Sequence, residues 1–310
     1  MGLKKNTLSI VTTTFNSENE IKEFVTRCLN SCSKVNLKLQ NLIIVDDGST
    51  DGTVSTVKNI LKKFPMITLI QLSKNYGQHE AIMTGLEVAD SDFIFLIDSH
   101  LEESPEDLEK LFHELANSNA DVVYGVQSLR RGGIFEKLEE IFFYGIILKL
   151  LDLKIPVNAL TSRLMTREYV KAVISYPEKR IYLGGVFNHV GFKQKSVKLE
   201  KLRIGKSRYS FRKKIFLTLK LITSFSTKPL VFFAFVALSQ LLVSTILVIS
   251  LIINFLLTSE SVSGWYSLIV SIWFTTGLLS LMLSILMLYV SELMLEVKNR
   301  PRTIVRERDS

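Results

Sequence analysis

Two stretches without a single Asp, Glu, Lys or Arg, Pro229–Ser259 and Ser261–Ser291, restrict this chain more than any other feature. Each is about 30 residues long, beyond the roughly 20 that a helix needs to cross a bilayer. Burying such a hairpin in water would take a much larger soluble shell, so two transmembrane helices are expected. The loop between them, Thr258–Gly264, holds no Lys or Arg, whereas Lys213, Lys214, Lys220 and Lys228 precede the first span and Lys298, Arg300, Arg302, Arg306 and Arg308 follow the second. Basic residues favour the cytoplasmic side, which puts both ends of the hairpin there. No secretory leader is read ahead of the first strand. The net charge of +8 gathers near the membrane and suits anionic head groups better than nucleic acid.

The residues before about Leu202 have the mixed charge of a globular domain. Leu8–Thr14 reads as a strand, followed by the polar turn Asn16-Ser17-Glu18 and a helix from Glu20 to about Ser31. The unit repeats as strand Leu42–Val45 with a helix from about Thr53 to Lys63, and as strand Ile67–Leu72 with a helix from Gln78 to Ala89. Phe93–Ile97 is a fourth buried strand, and the next helix starts near Pro105, a favourable first-turn residue. Alternating strands and helices imply a mostly parallel sheet in an α/β fold of nucleotide-binding type. Cys28 and Cys32, one helical turn apart in a cytosolic setting, read as reduced structural thiols.

Two strands end in carboxylates. After Val45 comes Asp46-Asp47-Gly48-Ser49-Thr50-Asp51-Gly52, whose glycines permit tight turns and whose acids can accept hydrogen bonds from a base or ribose. After Ile97 comes Asp98-Ser99-His100-Leu101-Glu102. In an extended segment alternate residues face one side, so Asp98, His100 and Glu102 are candidate ligands for one cation. The carboxyl ends of strands are where open α/β sheets hold ligands. Together the clusters suit a nucleoside diphosphate with its metal.

These motifs, in this order, resemble the family 2 glycosyltransferases, specifically the membrane-anchored polyprenyl-phosphate group related to dolichol-phosphate mannose synthase and bactoprenol glucosyltransferase. Ser9–Val11 through Phe15-Asn16 and Glu18 is similar to the family's opening strand and Y-N-E turn, with Thr13 where proline is usual. Val45–Thr53 resembles its nucleotide motif, Leu72–Gly77 its R-N-x-G stretch, Ser224–Leu230 its approach to the membrane and Val297–Arg302 its tail. The resemblance implies a GT-A nucleotide-binding domain with a mostly parallel sheet, interfacial helices and two C-terminal transmembrane helices. It also implies a nucleotide-sugar donor, a divalent cation and a lipid phosphate acceptor. Thr13, Asn16, Glu18, Asp46, Asp47 and Lys74 would then surround the nucleotide, and Asp98 would hold the metal or diphosphate.

Two departures from the family pattern bear on the chemistry. Asp98-Ser99-His100-Leu101-Glu102 stands where D-A-D-L-Q is usual. Imidazole is a poorer ligand for Mg²⁺ than for Mn²⁺, so Mn²⁺ is favoured over Mg²⁺, and a D-x-H arrangement also resembles that of polypeptide N-acetylgalactosaminyltransferases. Leu160-Thr161-Ser162-Arg163-Leu164 replaces a usual D-F-R-L, losing the acid and keeping Arg163. A hydroxyl acceptor wants a carboxylate base, but a lipid phosphate is already ionised near neutral pH. Its cations would be Arg130 and Arg131, in a loop resembling the family's acceptor loop, with Arg163, Arg203 and Arg208. Asp98, Arg131 and Arg163 are the catalytic candidates.

Phe135–Leu151 and Phe211–Phe225 read as interfacial helices. His79, His113 and His189 have no ligand-like partners in sequence, and Tyr182–Phe187 occupies a region where the family has an R-x-x-x-G-x-x-x-W pattern. The expected division is a cytoplasmic GT-A catalytic domain (1–202), a basic amphipathic juxtamembrane segment (203–228), a transmembrane hairpin (229–291) and a basic cytoplasmic tail (292–310). The expected activity is an inverting transfer from a nucleotide-sugar to polyprenyl phosphate. The alternatives are a membrane transferase with a sugar-hydroxyl or lipid-diphosphate-sugar acceptor, and a nucleotide-binding homologue that anchors a partner. Two spans are few for moving a head group across a bilayer, so a separate flippase and a downstream glycosyltransferase are expected partners. A homo-oligomer is compatible with the chain.

Overall fold

Apolar runs buried on both faces form the central strands of the computed structural model, which describes residues 7–127, 158–177, 183–200, 228–258 and 264–310. In chain order the elements are β1 (Thr7–Thr14), α1 (Ile21–Cys32), β2 (Lys38–Asp46), α2 (Thr53–Leu61), β3 (Ile67–Leu72), α3 (Gln78–Val88) and β4 (Phe93–Leu96). A 3-10 turn (Pro105–Asp107) then leads into α4 (Leu108–Asn117), followed by β5 (Val122–Gln127), β6 (Ala159–Thr166), α5 (Arg167–Ile174), α6 (Leu183–His189) and β7 (Gln194–Leu199). Two long helices, α7 (Lys228–Thr258) and α8 (Trp265–Val297), precede a last strand, β8 (Val305–Asp309).

Among the described residues the strands form one eight-stranded sheet in the order β7-β5-β6-β4-β1-β2-β3-β8. The pairs β4-β1, β1-β2, β2-β3 and β5-β7 are parallel, while β6 runs antiparallel to both β4 and β5 and β8 runs antiparallel to β3. The parallel centre follows from the strand-helix repeats, since parallel neighbours need a helical crossover. Leu8, Ile10, Leu42, Ile44 and Phe95 form one core with Phe24, Cys28 and Leu111 of the covering helices. Helix α1 buries Ile21, Phe24, Val25, Cys28 and Cys32, the spacing of one helical face. Burial pushes the Cys28 thiol well up and that of Cys32 to about 11, so both stay protonated and inert near neutral pH.

On the opposite face α3 comes close enough to the sheet that a Cβ on Gly85 would lie 2.6 Å from Val11 and 3.1 Å from Val45. Only glycine fits that approach. Helix α5 is capped by Thr166, whose hydroxyl accepts from the Tyr169 amide at 3.4 Å.

The chain divides into two units, residues 1–210 with 300–310, and residues 211–299. The first unit carries the sheet. Its final segment returns to the fold as β8, a strand that the charged tail sequence does not announce. The second unit holds α7 and α8, of 31 and 33 residues, on the order of 46 and 50 Å long. Gln240 Nε2 of α7 lies 3.5 Å from Thr275 Oγ1 of α8. Large apolar side chains on both helices, among them Phe235, Leu256, Trp273 and Phe274, are exposed. Among the described residues one stretch, Ser271–Ser291, is long and apolar enough to cross a membrane, and Leu230–Gln240 is a shorter apolar one. The two expected interfacial helices lie outside the described residues.

Candidate active site

The carboxyl ends of β4, β1, β2 and β3 open on one side of the sheet, and most of the described candidate residues gather there. Strand β4 stops at Leu96, and Ile97 is still pinned by its amide to the Val11 carbonyl at 3.1 Å. Asp98 is the first polar side chain past that point. It is partly exposed, with Oδ1 accepting from the His100 amide at 3.2 Å and Oδ2 from Gln78 Nε2, at the start of α3, at 3.3 Å. Beside it, the Ser99 hydroxyl donates to the Thr13 carbonyl at 2.8 Å. Thr13 itself is buried at the end of β1 and acts there through its main chain.

The alternation expected for Asp98, His100 and Glu102 needs an extended backbone, and the backbone turns instead. A turn covers Ser99 and His100, and Leu101 takes φ +53° with its side chain buried, a conformation unusual outside glycine. The three side chains are therefore not brought together as a set. Among the described residues no three of His, Cys, Asp and Glu form a metal-holding group. His100 directs Nδ1 to Glu20 Oε2 at 3.2 Å and to the Ser17 hydroxyl at 3.4 Å. Asp98 stands at the mouth with carboxylate lone pairs to spare, which fits a residue that would hold a divalent cation.

The second acidic cluster builds loops. Asp47 spends Oδ1 on the Tyr76 amide (2.7 Å) and Oδ2 on the Gly77 amide (2.9 Å), tying the β2 end to the loop after β3. Asp46 is fully buried, with Oδ2 accepting from the Ser49 amide at 3.1 Å and Oδ1 without a partner among the described residues. Burial is the main cause raising the pKa of both acids. Asn16, at φ +51°, accepts the Thr50 amide on Oδ1 at 2.9 Å, and Glu18 accepts the Gly52 amide at 3.1 Å. Asp47, Asn16 and Glu18 thus hold one loop against the next, while Asp46 braces its own. Gly48, at φ +75°, lets the β2 loop lie on the backbone of Lys74 and Asn75, where a Cβ would come within 2.6 Å of both residues.

Two cavities result. One, of about 310 Å³, is lined by Phe15, Asn16, Ser17, Asn19, Glu20 and His100. The other, of about 450 Å³, lies between the Gly48–Thr50 and Gln71–Asn75 loops, with Phe15 and Arg306 also on its walls. Lys74, expected at the nucleotide, lines this second cavity with Nζ 5.1 Å from the centre of the Tyr76 ring.

Arg163 requires a correction. Expected among the acceptor cations, it is turned inward, its guanidinium 3.7 Å from the centre of the Phe187 ring and hydrogen-bonded to the Thr161 and Leu160 carbonyls. Strand β6 runs beside β4 and carries this residue into the interior, where burial lowers its pKa. Arg130, Arg131, Arg203 and Arg208 lie outside the described residues.

Two residues at the site have no place among the candidates that the sequence suggests. Glu103 is a buried carboxylate that accepts the amides of Thr161 (2.9 Å) and Ser162 (2.7 Å), so it anchors β6 below Asp98's turn. Arg306 stands in sequence only as part of a basic tail. A break in the run of apolar residues followed by a second acid is the available signal for Glu103; no comparable signal marks Arg306.

Residues 9–174 match the family described as Glycosyl transferase family 2. A Mycobacterium tuberculosis (strain CDC 1551 / Oshkosh) protein whose name places it among glycosyltransferases is 37% identical over 299 residues, spanning 96% of this chain and 87% of its own. A prophage-derived bactoprenol glucosyl transferase of Shigella flexneri is 29% identical over 304 residues, spanning 97% of each. The crystal structure of a mycobacterial protein is similar in fold, with TM-score 0.50 and 17% identity over 71% of this chain and 75% of that one.

Proposed function

The chain belongs to glycosyl transferase family 2, and from its glycosyltransferase character we propose that it moves a sugar from a nucleotide-sugar to a polyprenyl phosphate at the cytoplasmic face of a membrane. The observation that carries this reading is the placing of Asp98 at the same end of the sheet as the 450 Å³ cavity walled by the Gly48–Thr50 and Gln71–Asn75 loops. The cavity suits the donor nucleotide, and Asp98 suits its diphosphate. The name of the Shigella relative supports the lipid acceptor, as do the apolar helices α7 and α8, read as two spans with both ends cytoplasmic.

In the proposed reaction an oxygen of the lipid phosphate attacks the anomeric carbon from the face opposite the donor diphosphate. The new carbon–oxygen bond forms as the old one breaks, and the nucleoside diphosphate leaves with the bonding electron pair, so the configuration inverts. A divalent cation held by Asp98 would supply neutralisation of the charge gathering on the departing diphosphate. Gln78 and the His100 amide hold the Asp98 carboxylate in its orientation. The acceptor arrives ionised, which accounts for Thr161 where the family has an acid. Arg130 and Arg131, with Arg203 and Arg208, are the cations proposed to hold its phosphate, in the bidentate manner open to guanidinium. A separate flippase and a downstream glycosyltransferase would use the product.

The test incubates membranes containing the chain with individual nucleotide-sugars and follows lipid products by mass spectrometry. A sugar-phosphate-lipid cleaved by mild acid is expected, and Asp98→Ala should lower its formation at least about 100-fold. A product resistant to mild acid would point to a hydroxyl acceptor. Failure to consume any donor would point to a binding protein.

A further inference from the structure

The 450 Å³ cavity has one wall that comes from far along the chain. Arg306 lies on β8, after both long helices, yet lines the same cavity as Phe15, Gly48, Ser49, Lys74 and Asn75. Its position there is built. Strand β8 pairs Glu307 with Gln71 and Val305 with Leu72, so β8 advances two residues where β3 advances one, and Arg306 is the extra residue of a bulge. Bulges re-aim side chains and are frequent beside active sites. The strand is fixed at several points: Ser73 donates to the Ile304 carbonyl at 2.9 Å, Lys58 bridges Glu307 (2.7 Å) and Asp309 (3.1 Å), and Thr303 shares a hydrogen bond with Thr84. The Arg306 side chain is exposed and has no hydrogen bond or ion pair among the described residues. Its neighbours Glu307 and Arg308 belong to the ladder.

We propose that Arg306 is a donor-binding residue that reads the base of the nucleotide. This rests on the functional reading above, in which the diphosphate lies at Asp98. From β4, which delivers Asp98, to β8 there are four strand spacings across β1, β2 and β3, roughly 19 Å at the usual separation. A nucleotide whose diphosphate lies at one end of that row directs its base towards the other, where Arg306 stands. A guanidinium only donates hydrogen bonds. It therefore selects a base edge rich in acceptors, the carbonyl oxygens of uracil or the O6 and N7 of guanine, over adenine, whose N7 sits beside an amino donor. Phe15, 40% exposed and lining both cavities, offers an apolar ring close by.

Titration calorimetry of the full chain in lipid nanodiscs with UDP, GDP and ADP tests this. The wild type should bind UDP or GDP more tightly than ADP. Arg306→Ala should weaken the preferred nucleotide about tenfold while leaving ADP unchanged, so that discrimination falls by the same factor. Arg306→Lys should not restore it, because a point charge cannot replace the planar fork. Arg308→Ala, two residues along the same strand, should bind like the wild type. Unchanged affinity in Arg306→Ala overturns the proposal. So does an equal loss for all three nucleotides that Arg306→Lys repairs, which would make Arg306 a phosphate contact. Equal loss in Arg308→Ala would mean that the whole strand had shifted and would also overturn it. A wild type that binds no nucleotide would instead sink the donor reading on which the proposal stands.

Discussion

A carboxylate whose two oxygens each receive a backbone amide becomes part of the main-chain hydrogen bonding of its neighbour, and Glu103 does this for β6. Burial outweighs those bonds and raises its pKa, so the folded state disfavours the ionised form and the two amides offset only part of that cost. Glu103→Gln presents one amino group to a donor. The expected cost is about 1–3 kcal/mol of stability, read as a lower denaturation midpoint with unchanged slope, and Glu103→Asp should not restore it because the shorter stem cannot reach both amides. At this scale the sequence reveals which residues stand at the mouth of the sheet but not how they point. Asp98 is legible because an apolar run stops just before it. The fate of His100 is not, because Leu101 adopts a left-handed backbone that no spacing rule anticipates. Arg163 misleads for a related reason: a basic residue in a strand reads as an exposed cation until its strand is found inside the sheet.

Among the described residues, ion pairs join elements, and one of them is testable by acid. Arg27 of α1 donates from Nε and Nη2 to Glu106 of the 3-10 turn, at 3.0 and 2.7 Å, and this holds the Glu106 carboxyl at about 2, below its ordinary 4.5. The folded state thus favours the ionised form. Its contribution is fully present above pH 4.5 and is lost as pH falls towards 2. Glu106 is 37% exposed, so solvent screening reduces the contribution to about 1 kcal/mol. Glu106→Gln should lose that amount at pH 7 and almost none near pH 2, in chemical denaturation at each pH. The first four strands are readable from their apolar runs. Strand β8 is not, since Val305-Arg306-Glu307-Arg308-Asp309 carries charge on four of five residues. Charged side chains are what protects an exposed sheet edge from unwanted pairing, so the feature that suits β8 to its place also conceals it.

For the molecule as a whole, the exposed apolar surfaces of α7 and α8 are what the proposed membrane anchorage would cover. Alkaline carbonate washing of membranes should leave the chain in the pellet, and its release into the supernatant would contradict two spans. Composition alone makes those helices legible as long apolar segments. What composition does not reveal is that the chain re-enters the globular unit after them. Synthesis runs from the amino end, so β3 must wait with an unpaired edge until both long helices have left the ribosome. The arginine wall of the larger cavity is made after its other walls, and a nascent chain that has not yet reached it cannot possess the finished cleft.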